Sequence, residues 1–323
     1  MDKSMARREI RIPGFDGYVT LKCDFHIHTV FSDGLVWPTV RVDEAWNEGL
    51  DAIAITDHIE YRPFQDIVRG DLNESFRIAA RAGKERGVIV IQGTEITRNK
   101  PFGHMNALFI DDANKLQVET SEEAIAAALA QGAFIMWNHP GWPDDASTIY
   151  EIHEQLIAEG KIHGVETFNF TELYPVSLDW CRSRGLTFMG NSDIHNTIVQ
   201  TYGRADMARP MTLVFAAGKS EGAIRDALFD GRTAVWFNGY LAGRADLLEK
   251  LVKASLAVTH IDRQHRTAEV SNCSDIAYTL KYGDTATIVP AGGSVCLILP
   301  PDGVLTVTNC MTGKDTLLEI ALD

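Results

Sequence analysis

Between residues 18 and 237 the chain repeats one pattern: a short, almost wholly apolar run, a segment with helical punctuation, then another apolar run. Ala52-Ile53-Ala54-Ile55-Thr56 is representative. It lacks the apolar–polar alternation of a half-exposed strand, as expected where both faces of a parallel sheet are covered. Comparable runs occupy residues 18–25, 88–91, 105–110, 133–137, 164–168, 186–189 and 233–237. Helical segments fall between them at 39–48 (stopped by Gly49), 74–86, 121–131 (opened by a capping box at Thr120 to Glu123), 149–158 and 221–229, with another reaching Arg184. Strands alternating with helices predict an α/β fold with a parallel sheet or barrel. A barrel of the TIM kind accounts for the polar residues at the carboxyl ends of the strands, where such barrels build their sites. An open doubly wound sheet would need a phosphate-cradling glycine fingerprint at the first strand-to-helix turn, and residues 29–34 carry none.

From about residue 241 the texture changes. A helix at 245–253 gives way to seven short β-rich runs between 256 and 322, separated by turn clusters such as Pro290-Ala291-Gly292-Gly293 and Pro300-Pro301-Asp302-Gly303. That spacing predicts a small antiparallel sandwich over 244–323, following a barrel over 1–243. At 323 residues the chain is long enough for both. Tyr278 and Tyr282 are the only Phe, Trp or Tyr side chains in this part, so a lid, a dimer contact (hence a homo-oligomer) or a narrowing of the substrate site is expected rather than a binding platform.

The balance of 44 acidic against 30 basic residues, a net charge of −14, argues against nucleic-acid or anionic-membrane partners bound through phosphate contacts. A small phosphorylated substrate stays compatible, because bound cations supply positive charge locally. Cys23, Cys181, Cys273, Cys296 and Cys310 form no CxxC pair and read as reduced thiols, with room for one bridge among the last three. No apolar run approaches the roughly 20 residues a bilayer span needs. Residues 1–12 lack the apolar segment of a leader, so the chain as it stands is expected in the cytoplasm, or in the periplasm or outside the cell if a leader has been removed.

The chemistry gathers at strand ends. In Cys23-Asp24-Phe25-His26-Ile27-His28-Thr29 two histidines lie two apart at the end of the first strand, and alternation turns both imidazoles to one side. Asp193 and His195 repeat that spacing after 186–189, and Glu95 and His104 flank a short polar turn between two strands. With Asp33, His58 and His139 these make nine nitrogen- or oxygen-ligand residues near the ends of six strands. Each alone has an ordinary use, since a strand-end Asp often caps a helix and His139 before Pro140 can serve a loop. Nine together point to a site, and the absence of cysteine among them points to an open catalytic centre rather than a structural zinc clip.

These residues resemble the PHP (polymerase and histidinol phosphatase) superfamily of metal-dependent phosphoesterases. The motifs are Asp24-Phe25-His26-Ile27-His28-Thr29, Ile55-Thr56-Asp57-His58, Gly93-Thr94-Glu95, Asn138-His139-Pro140 and Ser192-Asp193-Ile194-His195, and the likeness spans about residues 18–240. The resemblance implies a distorted TIM-like (β/α)7 barrel and two to three divalent metal ions, Zn, Mn or Fe. It implies one ion on His26, His28, Glu95 and Asp193, a second on Asp33, His58 and His195, and a third on Glu95, His104 and His139, with Glu95 bridging. Asp33 departs from the histidine often found at its position, and the C-terminal part lies outside the likeness.

The resemblance implies phosphoesterase activity on a small phosphomonoester or phosphodiester, for which metal chemistry suggests that hydroxide bridging two ions would attack the phosphorus while the ions clamp the phosphoryl oxygens. Asp193, His195 and Glu95 would act through the metals, and Asp24 and Asp57 would fix imidazole tautomers from behind. Arg98, Arg62 and Arg204 lie near motif loops and are candidates to hold the substrate phosphate, with a solvated surface arginine as the ordinary alternative. The same ligands would also suit a hydrolase of a non-phosphate bond, amidohydrolase-like, or a non-catalytic metal-stabilised module.

Overall fold

The computed structural model of the protein describes residues 6–143, 146–203, 207–262 and 264–322. Short apolar runs form strands wherever both faces become covered. β1 (Val19–Asp24), β2 (Ala52–Ile55) and β3 (Ile89–Thr97) are parallel neighbours, and all four residues of β2 are buried. α1 (Pro38–Asn47) starts on a proline, which loses nothing by lacking an N–H at that position. α2 (Glu74–Arg86) ends on Gly87 in the left-handed conformation. β4 (His104–Leu108) returns antiparallel to β3. α3 (Ser121–Leu129), opened by the expected Thr120/Glu123 capping box, leads to β5 (Phe134–Trp137), antiparallel to β4. α4 (Glu151–Ala158), β6 (Gly164–Asn169), β7 (Glu172–Leu173), α5 (Pro175–Arg184) and β8 (Thr187–Asn191) follow, with β6 parallel to both β5 and β8. α6 (Ile198–Tyr202) precedes β9 (Met211–Ala216), α7 (Glu221–Phe229), β10 (Thr233–Phe237) and β11 (Tyr240–Gly243).

The α/β expectation holds, but the sheet is mixed and its ladder does not close as a TIM barrel among the described residues. β9, an apolar run not assigned from the sequence, pairs antiparallel with β1 and with β10. β8 faces β9 and β10 without a backbone ladder. Side-chain hydroxyls bridge the gap: Thr212 Oγ1 accepts from Gly190 N at 3.0 Å, and Thr233 Oγ1 donates to Phe188 O at 2.7 Å. The approach is close enough that a Cβ on Gly190 would lie 2.1 Å from a Val235 methyl. β3 also runs longer than expected, so Glu95 lies within a strand rather than at its end.

α8 (Ala245–Ser255) introduces seven strands: β12 (Leu256–Asp262), β13 (Thr267–Asn272), β14 (Tyr278–Tyr282), β15 (Thr285–Val289), β16 (Ser294–Ile298), β17 (Val304–Gly313) and β18 (Thr316–Ala321). β12, β13 and β16 form one antiparallel sheet. The other four continue the main sheet through a parallel pairing of β11 with β17. One apolar cluster runs from Leu213, Phe215 and Leu241 through Leu248 and Leu251 to Val270, Tyr278 and Val307, so both regions share a core. All five cysteines are free, Cys23, Cys181 and Cys310 buried and Cys273 and Cys296 exposed. Among the described residues no helix is long and apolar enough to cross a membrane.

Candidate metal centre

His26 and His28 follow β1 while Phe25 before them and Ile27 between them turn into the core with no exposure, so the alternation of the extended chain presents both imidazoles to one side. Their rings lie 5.1 Å apart. Ile27 bridges in parallel to Ile194, which brings the loop after β8, and with it Asp193 and His195, alongside. His58 bridges to Glu95. In the β3–β4 hairpin Glu95 stands opposite Asn106 and His104 opposite Thr97, a diagonal that places both side chains on one face. His139 enters from the loop after β5. The sequence scattered these six imidazoles and three carboxylates over some 170 residues, and the fold gathers all nine.

Four groups within the cluster have ligand atoms close enough to share an ion: His28, Asp33, His58 and His195; His26, His28 and Glu95; His26, His139 and Asp193; and Glu95, His104 and His139. The last is the expected third set, and the first adds His28 to the expected second. Around the expected first set, His26 Nε2 lies 3.3 Å from Glu95 Oε2 and 3.2 Å from Asp193 Oδ1, and His28 Nε2 lies 3.2 and 3.1 Å from the same atoms. Ligands about 2.1 Å from a tetrahedral ion stand about 3.4 Å apart, so this spacing suits a divalent cation. His28 Nε2, Asp33 Oδ1 and Asp193 Oδ1 are also buried with no hydrogen-bond partner, an arrangement that costs free energy unless something positive sits between them. The residues fit a metal centre.

The electrostatics follow from that crowding. Burial alone would raise the pKa of Glu95, but the charges of His58 and His26, the hydrogen bond with His104 and the nearby His139 imidazole hold it well below the usual range. Asp193 is likewise held low by His26 and His28 against its burial, and Asp33 by His195 and His58. Conversely, burial pushes His26 down while Asp193, Glu166 and Glu95 bring it well above its ordinary value. His139 and His195 are raised by Glu95 and Asp33 in the same way. Two ligand residues are non-glycine residues with positive φ, His139 at 24° and Asp193 at 49°, a conformation kept only where the surroundings impose it.

Other expected roles change. Asp57 touches no imidazole; it accepts from Thr29 N, Thr29 Oγ1 and Ser32 Oγ, and only Ser32 approaches His28 Nδ1, at 3.4 Å. Asp24 accepts from the backbone of His26 and Ser192 and pairs with the buried Arg209 at 2.7 Å. Both aspartates hold loops rather than tautomers. Arg98 lines the cavity beside the cluster, but its guanidinium pairs with Glu60 and donates to Thr97 O and Val118 O. Arg62 donates to Phe31 O and Gly70 O and is not among the cavity-lining residues. Arg204 lies outside the described residues.

The partner that does orient an imidazole is Glu166, not singled out from the sequence. Its Oε1 accepts from His26 Nδ1 and Asn191 Nδ2, both at 3.0 Å, and its Oε2 from His139 N and Asn169 Nδ2, both at 2.8 Å. The ladder between β6 and β8 shifts register just after it. A charged residue inside the apolar run 164–168 was the available signal, since such residues are buried only when paired. Asn138 Nδ2 supports Glu95 Oε1 at 2.9 Å, and Thr97 Oγ1 meets His58 Nδ1 at 2.6 Å.

The cluster forms one side of a cavity of about 860 Å³ whose lining residues fall between Asp33 and Thr201. No described residue of the C-terminal strands lines it, so in this arrangement they do not act as a lid or narrow it. Instead the tip of β17 braces α5, where Lys314 N donates to Asp179 Oδ1 at 3.2 Å.

The family model for the PHP domain matches residues 24–176. A two-domain protein of Bacteroides vulgatus containing a predicted PHP-like metal-dependent phosphoesterase has a crystal structure similar to this one at 38% identity, covering 99% of each chain, with a TM-score of 0.92. An uncharacterized protein of Methanocaldococcus jannaschii is 28% identical over 188 residues, 54% of this chain and 82% of its own. A 5'-3' exoribonuclease of Haemophilus influenzae is 36% identical over 81 residues, a quarter of each chain.

Proposed function

The chain belongs to the PHP domain family, and on that premise we propose that it is a metal-dependent hydrolase of a small phosphate ester, a phosphomonoester or phosphodiester. One observation carries the reading: nine candidate ligand residues converge, three of them with buried, unpartnered ligand atoms, and seven of the nine line a cavity large enough for a small substrate.

His26, His28, Glu95 and Asp193 would hold one cation, Asp33, His58 and His195, with His28 beside them, a second, and Glu95, His104 and His139 a third. Cations bound there would lower the pKa of coordinated water and neutralise charge on the phosphoryl group. Glu95 is the residue that joins the sets, because its Oε2 faces His26, His28 and His58 while its Oε1 faces His104 and His139. Glu166, accepting from His26 Nδ1, leaves the Nε2 lone pair free to point into the cluster. Among the described candidates Arg98 is committed to Glu60 and Arg62 to backbone carbonyls, so the cations would supply positive charge to a phosphate there.

Metal analysis of the purified protein is expected to find two to three divalent ions per chain, Zn, Mn or Fe. The loaded protein should hydrolyse p-nitrophenyl phosphate, bis-p-nitrophenyl phosphate or both, and the ratio separates monoesterase from diesterase. If neither is cleaved with any of the three metals, and His58→Ala leaves the metal content unchanged, the reading is wrong.

A further inference from the structure

We infer that the alcohol part of the substrate carries a planar aromatic ring, held against a rim formed by Tyr61, Trp142 and Phe170; the inference rests on the phosphoesterase reading of the same cavity. All three line the cavity and leave much of their surface in water, at 55%, 56% and 44% exposure. Large apolar side chains around a concave site, with a few polar groups at one end, are the usual make-up of a ligand pocket. Here the polar end is the ligand cluster, and two of the rings adjoin it. The Trp142 ring lies 5.2 Å from His104 and 5.6 Å from His139, and that of Tyr61 lies 6.2 Å from His58. A ring stacked on either would hold its phosphate within reach of the metals.

Phe170 supplies the second line of argument. Its φ is 55°, a region that a bulky side chain enters only under constraint and that Gly or Asn reaches more easily. The constraint is visible: Phe170 N donates to Asn191 O at 3.1 Å, and Phe170 O accepts from Tyr202 Oη at 3.0 Å. The turn therefore requires a left-handed residue but not an aromatic one, and the Phe170 it presents at the cavity is nearly half exposed. A stacking partner accounts for that combination. The volume agrees, since about 860 Å³ far exceeds what a phosphate with a two- or three-carbon alcohol fills.

The test uses metal-loaded protein and non-hydrolysable phosphonates, read by calorimetry. Benzylphosphonate is expected to bind roughly tenfold more tightly than propylphosphonate and at least about threefold more tightly than cyclohexylmethylphosphonate, which matches it in carbon count but is not flat. Trp142→Ala, and separately Phe170→Asn, which keeps the turn, should each remove most of that preference and change propylphosphonate binding less than about twofold. Equal binding of the three phosphonates, no binding of any, or variants that weaken all three alike would overturn the inference. Hydrolysis of the matching phosphate esters, measured in parallel, separates the two readings. Ring-selective binding with no ester cleaved removes the phosphoesterase and leaves the rim, whereas equal cleavage of all esters does the reverse.

Discussion

Replacing Glu166 with glutamine changes one atom type and no shape, yet four hydrogen bonds depend on that atom type. Oε1 receives two donors, His26 Nδ1 and Asn191 Nδ2, and Oε2 receives two more, His139 N and Asn169 Nδ2. A glutamine in either orientation puts its NH2 against two donors. If the NH2 takes the Oε2 position, the His139 backbone, already at φ 24°, loses its anchor. If it takes the Oε1 position, His26 can accept only by moving its own proton to Nε2, the nitrogen that faces Glu95 and Asp193. Each buried group left unmade costs about 1–3 kcal/mol, and the tautomer change removes a ligand. Losing a partner that orients a ligand lowers metal affinity by roughly 10–100-fold. Competition with a chromophoric chelator measures that affinity, and metal content after dialysis gives the stoichiometry. Glu166→Gln is expected to lose affinity at the His26 position where the NH2 meets Nδ1, or at the group that His139 shares with Glu95 and His104 where it meets the His139 backbone. Affinity within about threefold of wild type, at unchanged stoichiometry, would refute the assignment of His26's tautomer to Glu166.

Gly190→Ala drives a methyl into Val235 across the ladder-free seam between β8 and β10, so urea unfolding should show a loss of about 1–3 kcal/mol or more; an unchanged midpoint would mean that the seam yields freely. Arg209→Met leaves Asp24, which has no exposure, without its guanidinium, and a loss of about 3–5 kcal/mol is expected in the same assay, with a neutral result counting against the pair. The raised pKa values of His26, His139 and His195 make the chelator-stripped protein gain stability that is complete below about pH 6.5 and lost as pH rises through the folded values, while the lowered carboxylates Glu95, Asp193 and Asp33 contribute stability above about pH 4 that is lost toward acid. Metals must displace the same imidazole protons, so the melting-temperature gap between loaded and stripped protein should widen from pH 6.5 upward; a constant gap would contradict the coupling.

The candidate ligands that the fold gathers were legible in the sequence because their signal is local. A strand turns every second side chain to one side whatever surrounds it, so His26 with His28 could be paired before any fold was known, whereas Asp193 and His195, at the same spacing, stand in the loop after β8 with Asp193 at φ 49°. The apolar runs and the Thr120/Glu123 capping box fixed most elements for the same reason, since backbone hydrogen bonds and burial patterns repeat over a few residues. What the residues nearby could not decide was everything set by neighbours distant in the chain. Glu166 meets His26 across 140 positions, from a strand whose register with β8 shifts just after it. Asp24 and Asp57 sit beside ligands in sequence but spend their hydrogen bonds on loops, because Arg209, Ser192, Thr29 and Ser32 arrive first. Arg62 and Arg98 lie near motif loops, yet carbonyls and Glu60 claim them. The strand at 211–216 and the continuity of the C-terminal strands with the main sheet depend on which edges were left unpaired, and a strand edge is a property of the assembled sheet. Local periodicity thus chose the candidate ligands, while long-range pairing chose which groups hold them in place.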